Sequence, residues 1–382
     1  MKSFIQFFSL ITLLLLSSSA YANEHTDAHK KAQKATSAIR KCFKNCGMSK
    51  DELYKIALFI ETELPKQVET NRVYYFSRTK TKLARTIEVD PHTKKIFIHL
   101  QRHNVPELGR GARKNVTYSI LYSTTKPRKV AHSHTTYPNE NEAQAMSDLK
   151  GVPGLCKIIA VLSDSRNTLS NCYSFITKYY PRGDFSHYVQ KHSNSFKFKD
   201  RLRFCRDIIH GIERMHNKGY AHRDLGLRNF FVTRKRKHVH LVVADFGRAV
   251  SGGNTSEKGA QGGYSLCAPE GLKPHLLKGD DYLRTDIFAL GCVFYKILYN
   301  KKPCWMQARK LRNTHVSLHT RHKRFIHRIE QYRKQRLKEL KKTGKLKKKR
   351  FSPERVEAII LKMINPNPHA RPTASVVRSL LQ

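Results

Sequence analysis

The feature that most constrains this chain is a pair of short polar motifs, each set against apolar, strand-forming runs. They are "AHRDLGLRNFFV" at residues 221–232 and "LVVADFGRAV" at residues 241–250. Asp224, Asn229 and Asp245 stand beside runs such as "NFFV" and "HLVVA", which have the make-up of buried strands. Polar groups clustered next to a core cost stability unless they serve a purpose there, so their grouping points to chemistry.

Phosphoryl transfer asks for such a set: a carboxylate at the acceptor hydroxyl, a second on metal, a neutral oxygen ligand and fixed positive charge. Asp224 and Asn229 fall in one loop, and Asp245 follows an apolar strand. The order H-R-D-L-x-x-x-N and then D-F-G resembles the eukaryotic-type protein kinase family. Further stretches carry the resemblance over about residues 95–382. Ala268-Pro269-Glu270 in "GYSLCAPEG" looks like the family's A-P-E, and "DIFALGCVFYKIL" resembles its central C-lobe helix, with Asp286 at the buried acidic position. "HARPTASVV" puts Arg371 where the family pairs an Arg with the A-P-E Glu, and "CYSFITKYYPRGDFSHYV" resembles the last N-lobe strand, the linker and the next helix.

The resemblance implies an α+β, bilobal protein kinase fold, with a small β-rich N-lobe and a larger helical C-lobe behind a helical N-terminal extension. It implies ATP and Mg2+ as cofactors and a protein as substrate. Asp224 takes the role of orienting the acceptor hydroxyl, and Asn229 and Asp245 fall on the metal-binding positions. Thr177 is the gatekeeper, backbone groups around Lys178–Tyr180 meet the adenine edge, and Asp184 sits at the ribose-contacting position. A plain helix N-cap is the competing reading of Asp184. Met146, Ile158, His222 and Phe246 fit the family's stacked apolar spine, and Ser251, Thr255 and Ser256 lie in its activation segment.

The phosphate-binding half departs from the family pattern. "ELGRGARKNV" supplies Gly109, Gly111 and Val116, but Lys114 stands where the third glycine is expected. "KVAHSH" supplies Val130 and Ala131, with Ser133 in place of the strand lysine. This exchange resembles the with-no-lysine kinases, which implies that Lys114 supplies the cation; Lys126 and Lys129, in the turn before the strand, are the fallback cations. Glu142 in "NENEAQAM" is the match for the glutamate that pairs with that cation, although Asn139 and Glu142 also make a helix-start capping box. The alternative to an active kinase is a pseudokinase acting as a nucleotide- or partner-binding scaffold. A small-molecule kinase of the same fold is a third reading. The acceptor motifs are split, because Gly226 replaces the Ser/Thr-type lysine while Arg228 matches the tyrosine-kinase position. The expectation leans to Ser/Thr.

Composition adds partners and a compartment. With 73 Lys+Arg against 29 Asp+Glu, a net charge of +44 favours anionic membrane or nucleic-acid contact. "MKSFIQFFSLITLLLLSSSAYA" has a basic start, a short apolar run and an Ala20-Tyr21-Ala22 ending, the pattern of a signal peptide over 1–22. Export, secreted or host-directed, is the expectation, with no transmembrane helix in the mature chain; an uncleaved N-terminal anchor is the alternative. Residues 23–94 read as a basic helical and hairpin extension, with a Ser49/Glu52 capping box and a hairpin about Asp90-Pro91-His92-Thr93. Residues 95–382 form the kinase-like domain, with a basic helical insertion at about 307–350 that reads as a solvated helix or a docking face for phosphate-rich surfaces. The eight cysteines show no metal spacing and read as buried thiols, apart from the Cys42/Cys46 pair.

Overall fold

A computed structural model describes residues 26–43, 48–67, 73–78, 81–100, 108–110, 114–135, 140–163, 173–251, 266, 268–272, 277, 280–303, 305, 317–342 and 352–382. The signal-peptide stretch, Gly111, Cys46, Asn139, Thr255 and Ser256 lie outside the described residues, as does the side chain of Lys114. The chain divides into two units. One takes in residues 1–139 and 159–179, and the other residues 140–158 and 180–382. The first is built on a sheet and the second mostly on helices, the α+β arrangement of a β-rich small lobe and a helical large lobe.

The first unit opens with α1 (residues 26–42) and α2 (Lys50–Thr62). The α2 start is fixed locally: Ser49 accepts from the Glu52 N–H at 3.1 Å, and Glu52 accepts from the Ser49 N–H at 2.9 Å, satisfying two orphan donors of the first turn. Eight strands follow: β1 (Val73–Arg78), β2 (Thr81–Val89), β3 (Ile96–His99), β4 (Gly109–Arg110), β5 (Lys114–Leu121), β6 (Arg128–Thr135), β7 (Ile158–Ser163) and β8 (Tyr173–Lys178). They form one sheet in the order β1-β2-β3-β5-β6-β8-β7, with β4 also pairing β5; the division between units falls just after Ile158.

The Asp90–Thr93 turn closes the β2–β3 hairpin. The Asp90 carboxylate accepts from the backbone N–H groups of His92 (3.0 Å) and Thr93 (3.2 Å), as an Asx-turn requires. Because β3 pairs with β5, the sheet runs without a break from the extension into the kinase-like region. One face packs on α1 and α2 through Ile39, Phe43, Leu53, Ile56, Ile87, Ile98 and Ile120. The alternating residues Phe97, Leu121, Val130 and Ile176 form a second cluster on the other face, with Ala160 and Leu162. Residues 26–62 are therefore docked on the sheet by buried aliphatic side chains, each worth about 1.5–3 kcal/mol.

The second unit carries α3 (Glu140–Asp148), α4 (Phe185–His192), α5 (Phe198–Asn217), β9 (Tyr220–Ala221), β10 (Phe230–Lys235), β11 (His238–Val243), β12 (Val250–Ser251), α6 (Asp281–Tyr299), α7 (Leu318–Lys342), α8 (Pro353–Met363) and α9 (Ala374–Leu381). The loop before β7 lies directly on α5. A Cβ on Gly211 would come within 2.7 Å of the Gly154 carbonyl oxygen, so only glycine permits that approach. It lets the Val243 N–H reach Gly154 at 2.9 Å and the Cys156 N–H reach Val243 at 2.7 Å, tying the loop to the strand that leads into Asp245.

The basic helix α7 is not solvated all round. Phe325 and Ile329 are buried, Trp305 stacks on Tyr332 with ring centroids 4.6 Å apart, and Arg336 forks onto Glu357 of α8 at 2.8 Å from both Nε and Nη2. Its remaining face is lined with exposed cations, including Lys323, Arg324 and Lys334. Among the described residues, no helix is long and apolar enough to cross a membrane. Cys156, Cys205 and Cys292 are buried thiols, whereas Cys42 is exposed.

Candidate active site

Two antiparallel strand pairs, one enclosing the other in sequence, build the acidic centre of the second unit. β9 ends at Ala221 and pairs with β12, and β10 pairs in register with β11, Phe230 opposite Val243. The loop between β9 and β10 carries His222, Arg223, Asp224 and Asn229, and the turn after β11 carries Asp245. The Ala244 N–H donates to the Asn229 carbonyl at 2.8 Å, and the His222 ring Nε2 bonds the Ala244 carbonyl at 3.0 Å. These two bonds join the motifs that the sequence separates.

Asn229 then donates from Nδ2 to the Asp224 backbone oxygen at 2.6 Å and to its carboxylate at 3.2 Å. With its amide nitrogen so engaged, Asn229 has its Oδ1 left as a neutral oxygen donor. Asn229 is buried, Asp224 is half-buried and Asp245 is exposed. Arg223 and Asp245 both hold φ of 65°, a left-handed conformation that costs an L-residue roughly 1–2 kcal/mol. Asp286 of α6, 1% exposed, holds the loop from beneath. Its carboxylate accepts from the backbone N–H groups of His222 (2.7 Å) and Arg223 (2.9 Å), and from His216 Nε2 at 3.0 Å.

The same unit places the other C-lobe positions. Glu270 and Arg371 form a two-point ion pair, at 2.5 and 2.8 Å. Met146, Ile158, His222 and Phe246 are all buried, with the His222 and Phe246 rings 5.9 Å apart. Glu142 lies in the first turn of α3, a helix of 9 residues, and is 2% exposed. Asp184 is the N-cap of α4, accepting from the His187 N–H at 3.1 Å, so the capping reading of this residue is observed. The Tyr180 hydroxyl accepts from the Lys157 N–H at 3.0 Å, and burial pushes its pKa up to about 12. Burial, then the charges of Lys302 and Arg228, hold the Lys296 ammonium below the usual lysine range.

In the first unit, the register of β5 on β6 sets Val116 opposite Ser133, Tyr118 opposite Ala131 and Lys114 opposite Thr135. Alternation puts positions 114 and 116 on one strand face. Ala131 also faces Thr177 of β8, Lys178 is exposed, and Gly109 pairs with Val116. Ser133 has a buried hydroxyl with no hydrogen-bond partner among the described residues. The Lys129 ammonium lies 4.5 Å from the Tyr118 ring centroid, 5.4 Å from that of Phe43 and 5.6 Å from that of Tyr179. This aromatic cage, not a phosphate-facing role, accounts for Lys129. Sequence reasoning missed the cage, because Phe43 comes from α1 and no local pattern joins it to β6.

The oxygen set fits a hard divalent cation: an amide oxygen and carboxylates suit Mg2+, which prefers few protein ligands and oxygen donors. Comparison with known proteins agrees with this arrangement. The family described as "Protein kinase domain" matches residues 103–380. Similar proteins include a tyrosine-protein kinase receptor, svh-2, of Caenorhabditis elegans, 26% identical over 213 residues (54% of this chain and 19% of that protein). The serine/threonine-protein kinase PLK4 of Danio rerio is 27% identical over 165 residues (43% and 16%). The serine/threonine-protein kinase PKH1 of Saccharomyces cerevisiae is 24% identical over 269 residues (64% and 34%). The chain thus spans between 16% and 34% of the length of these relatives. With a family match over residues 103–380 and the two motifs hydrogen-bonded to each other, the chain belongs to the protein kinase family.

Proposed function

We propose that this chain is an active, ATP- and Mg2+-dependent protein kinase whose phosphate-binding cation has moved from the strand position, Ser133, to Lys114. The observation that carries the reading is the hydrogen-bonded cluster of Asp224, Asn229 and Ala244–Asp245. It groups in one unit the carboxylate read as acceptor-side, Asp224, with the two residues read as metal ligands, Asn229 and Asp245. When bound, Mg2+ neutralises charge on the phosphate oxygens. Asp224 orients the acceptor hydroxyl and takes its proton as the new O–P bond forms and the bond to the ADP leaving group breaks. Asn229 and Asp245 would hold the metal, and Glu142 is the residue that the family resemblance matches to the glutamate partner of the cation. The family resemblance assigns Gly109, Gly111 and Val116 to the phosphates and base, Ala131, Lys178 and Tyr180 to the adenine, and Asp184, which caps α4, to the ribose.

The Ser133 hydroxyl, without a partner among the described residues, and the position of Lys114 on the strand face of Val116 support the relocated cation. The acceptor is a protein hydroxyl, with Ser/Thr ahead of Tyr; the similar proteins include kinases of both kinds. The signal-like start supports an exported, host-directed effector. The exposed cations of α7 and the net charge of +44 support adhesion to anionic membrane or nucleic acid. The test is γ-phosphate transfer from ATP to generic protein acceptors. Asp224→Asn should abolish turnover while leaving the nucleotide-induced rise in Tm. Wild-type protein that binds nucleotide but transfers no phosphate would establish the scaffold reading instead.

A further inference from the structure

The sheet of the first unit carries a row of polar side chains that phosphoryl transfer does not use. Glu88 on β2, His99 on β3, Ser119 on β5, His132 on β6 and Ser174 on β8 come from five strands that are consecutive in the sheet. His99 stands directly opposite Ser119. By alternation the row shares its face with Phe97, Leu121, Val130 and Ile176, an apolar cluster. Glu88 (4% exposed), His99 (7%), Ser119 (0%) and Ser174 (4%) are buried there, and His132 is half-buried. Placing a carboxylate and two imidazoles in an apolar layer is costly unless they are paired or ligate a metal.

The geometry of the row is specific. His99 Nε2 lies 2.9 Å from Glu88 Oε2, and His99 Nδ1 lies 2.7 Å from Ser119 Oγ. His132 Nε2 lies 3.1 Å from Ser174 Oγ, and the two imidazole centroids are 3.9 Å apart. One ligating atom from each of Glu88, His99 and His132 falls within 4.8 Å of the others. Each imidazole therefore has one nitrogen held by a serine hydroxyl, which is how ligating histidines are fixed in tautomer and orientation.

We propose that Glu88, His99 and His132 form a zinc-class metal site that staples the β2–β3 hairpin to β6. Two imidazoles and one carboxylate suit Zn2+ and disfavour Mg2+ or Ca2+, which take oxygen ligands. The ligating atoms are one imidazole nitrogen each of His99 and His132 and a Glu88 carboxylate oxygen, with water in the fourth position. Bonds of about 2.0–2.1 Å at tetrahedral angles separate neighbouring ligand atoms by roughly 3.3 Å. The His99–Glu88 contact at 2.9 Å opens by a few tenths of an ångström, and the widest separation, up to 4.8 Å, closes by about 1.5 Å, within the reach of side-chain rotation. The metal replaces the hydrogen bond between His99 and Glu88 and joins strands on both sides of residue 95. Its binding free energy then adds to the stability of this unit.

The test uses the full chain without an affinity tag. Expected results are about one zinc per chain by elemental analysis, visible d–d bands after Co2+ substitution, and a Tm that falls on chelation and returns with Zn2+. Glu88→Gln and His132→Asn should each abolish the stoichiometric metal and the zinc-dependent Tm rise. His238→Asn, an exposed histidine of the hairpin β10–β11, should leave both intact. Ser174→Ala keeps all three ligands and should weaken zinc about 10–100-fold, which gives a readout even where a ligand variant fails to fold. Absence of stoichiometric zinc in the wild type would overturn the site, as would retention of full affinity in Glu88→Gln, His132→Asn or Ser174→Ala. None of these readouts depends on phosphoryl transfer, so the site and the kinase reading stand or fall separately.

Discussion

Glu270→Gln tests how the second unit holds its segment after the active-site motifs. The Arg371 guanidinium is completely buried and makes five hydrogen bonds. Two go to the Glu270 carboxylate, at 2.5 and 2.8 Å, and the others to the carbonyls of Asn365 (2.7 Å), Arg284 (2.9 Å) and Pro366 (3.3 Å). Its charge also lies 5.0 Å from the Phe288 ring centroid. Replacing Glu270 by Gln removes the only carboxylate named in that set and turns an amide donor toward a guanidinium donor. Breaking a buried pair by removing one partner costs about 3–5 kcal/mol. Three carbonyls still bond the guanidinium and Glu270 is 16% exposed, so the lower end, about 3 kcal/mol, is expected. At about 2–4 °C per kcal/mol for a unit of this size, Tm drops by roughly 6–12 °C. Thermal and urea unfolding followed by circular dichroism read the change. The double variant Glu270→Gln/Arg371→Met should be destabilised by less than the sum of the single variants. A Tm drop below about 2 °C, or simple additivity, would refute the claim that this pair is a coupled, buried ion pair.

Asp286→Asn leaves one acceptor oxygen for three donors, so at least one buried N–H of the His222–Arg223 loop or His216 loses its partner. Stability should fall by about 1–3 kcal/mol, and kcat by on the order of tenfold or more through displacement of Asp224, with nucleotide affinity kept in a thermal-shift assay. Tyr180→Phe has a pH signature. The Tyr180 proton is held more tightly folded (pKa raised to about 12 from 10.0), so the stabilisation is complete below pH 10 and is lost as pH rises toward 12. The Phe variant should lose about 1 kcal/mol at neutral pH, from the unmade Lys157 bond, and show a shallower alkaline decline in urea midpoint; an unchanged alkaline slope would contradict the burial of this hydroxyl.

What could be read from sequence was what is local. Ser49 and Glu52 are three residues apart and cap α2 without help from the rest of the chain. The Asp90 turn closes on its own side chain, and the spacing of Asp224, Asn229 and Asp245 follows from one hairpin, β10–β11. What could not be read depends on strand order. Nothing near Glu88 in sequence points to His132; the two share a sheet only through the strand order β2-β3-β5-β6, and their side chains come close within it. Lys129 is a fallback phosphate cation by sequence position alone, and its ring partner Phe43 comes from α1, far away in sequence. The buried face of α7 carried a faint signal, Phe325, Ile329, Tyr332 and Leu340 at helical spacing, which the dense positive charge around it masked. Asp184 illustrates a limit of a different kind, since capping and ribose binding require the same carboxylate in the same place.

The relocated cation is tested most directly by γ-phosphate transfer from Mg2+-ATP, comparing wild type, Lys114→Met and Lys114→Met/Ser133→Lys. Removing a fixed charge from the transferring phosphates should lower turnover on the order of a hundredfold or more, and a lysine restored at position 133 should recover part of it. Wild-type turnover in Lys114→Met, within about twofold, would contradict the account and send the search for the phosphate-binding charge elsewhere in the chain.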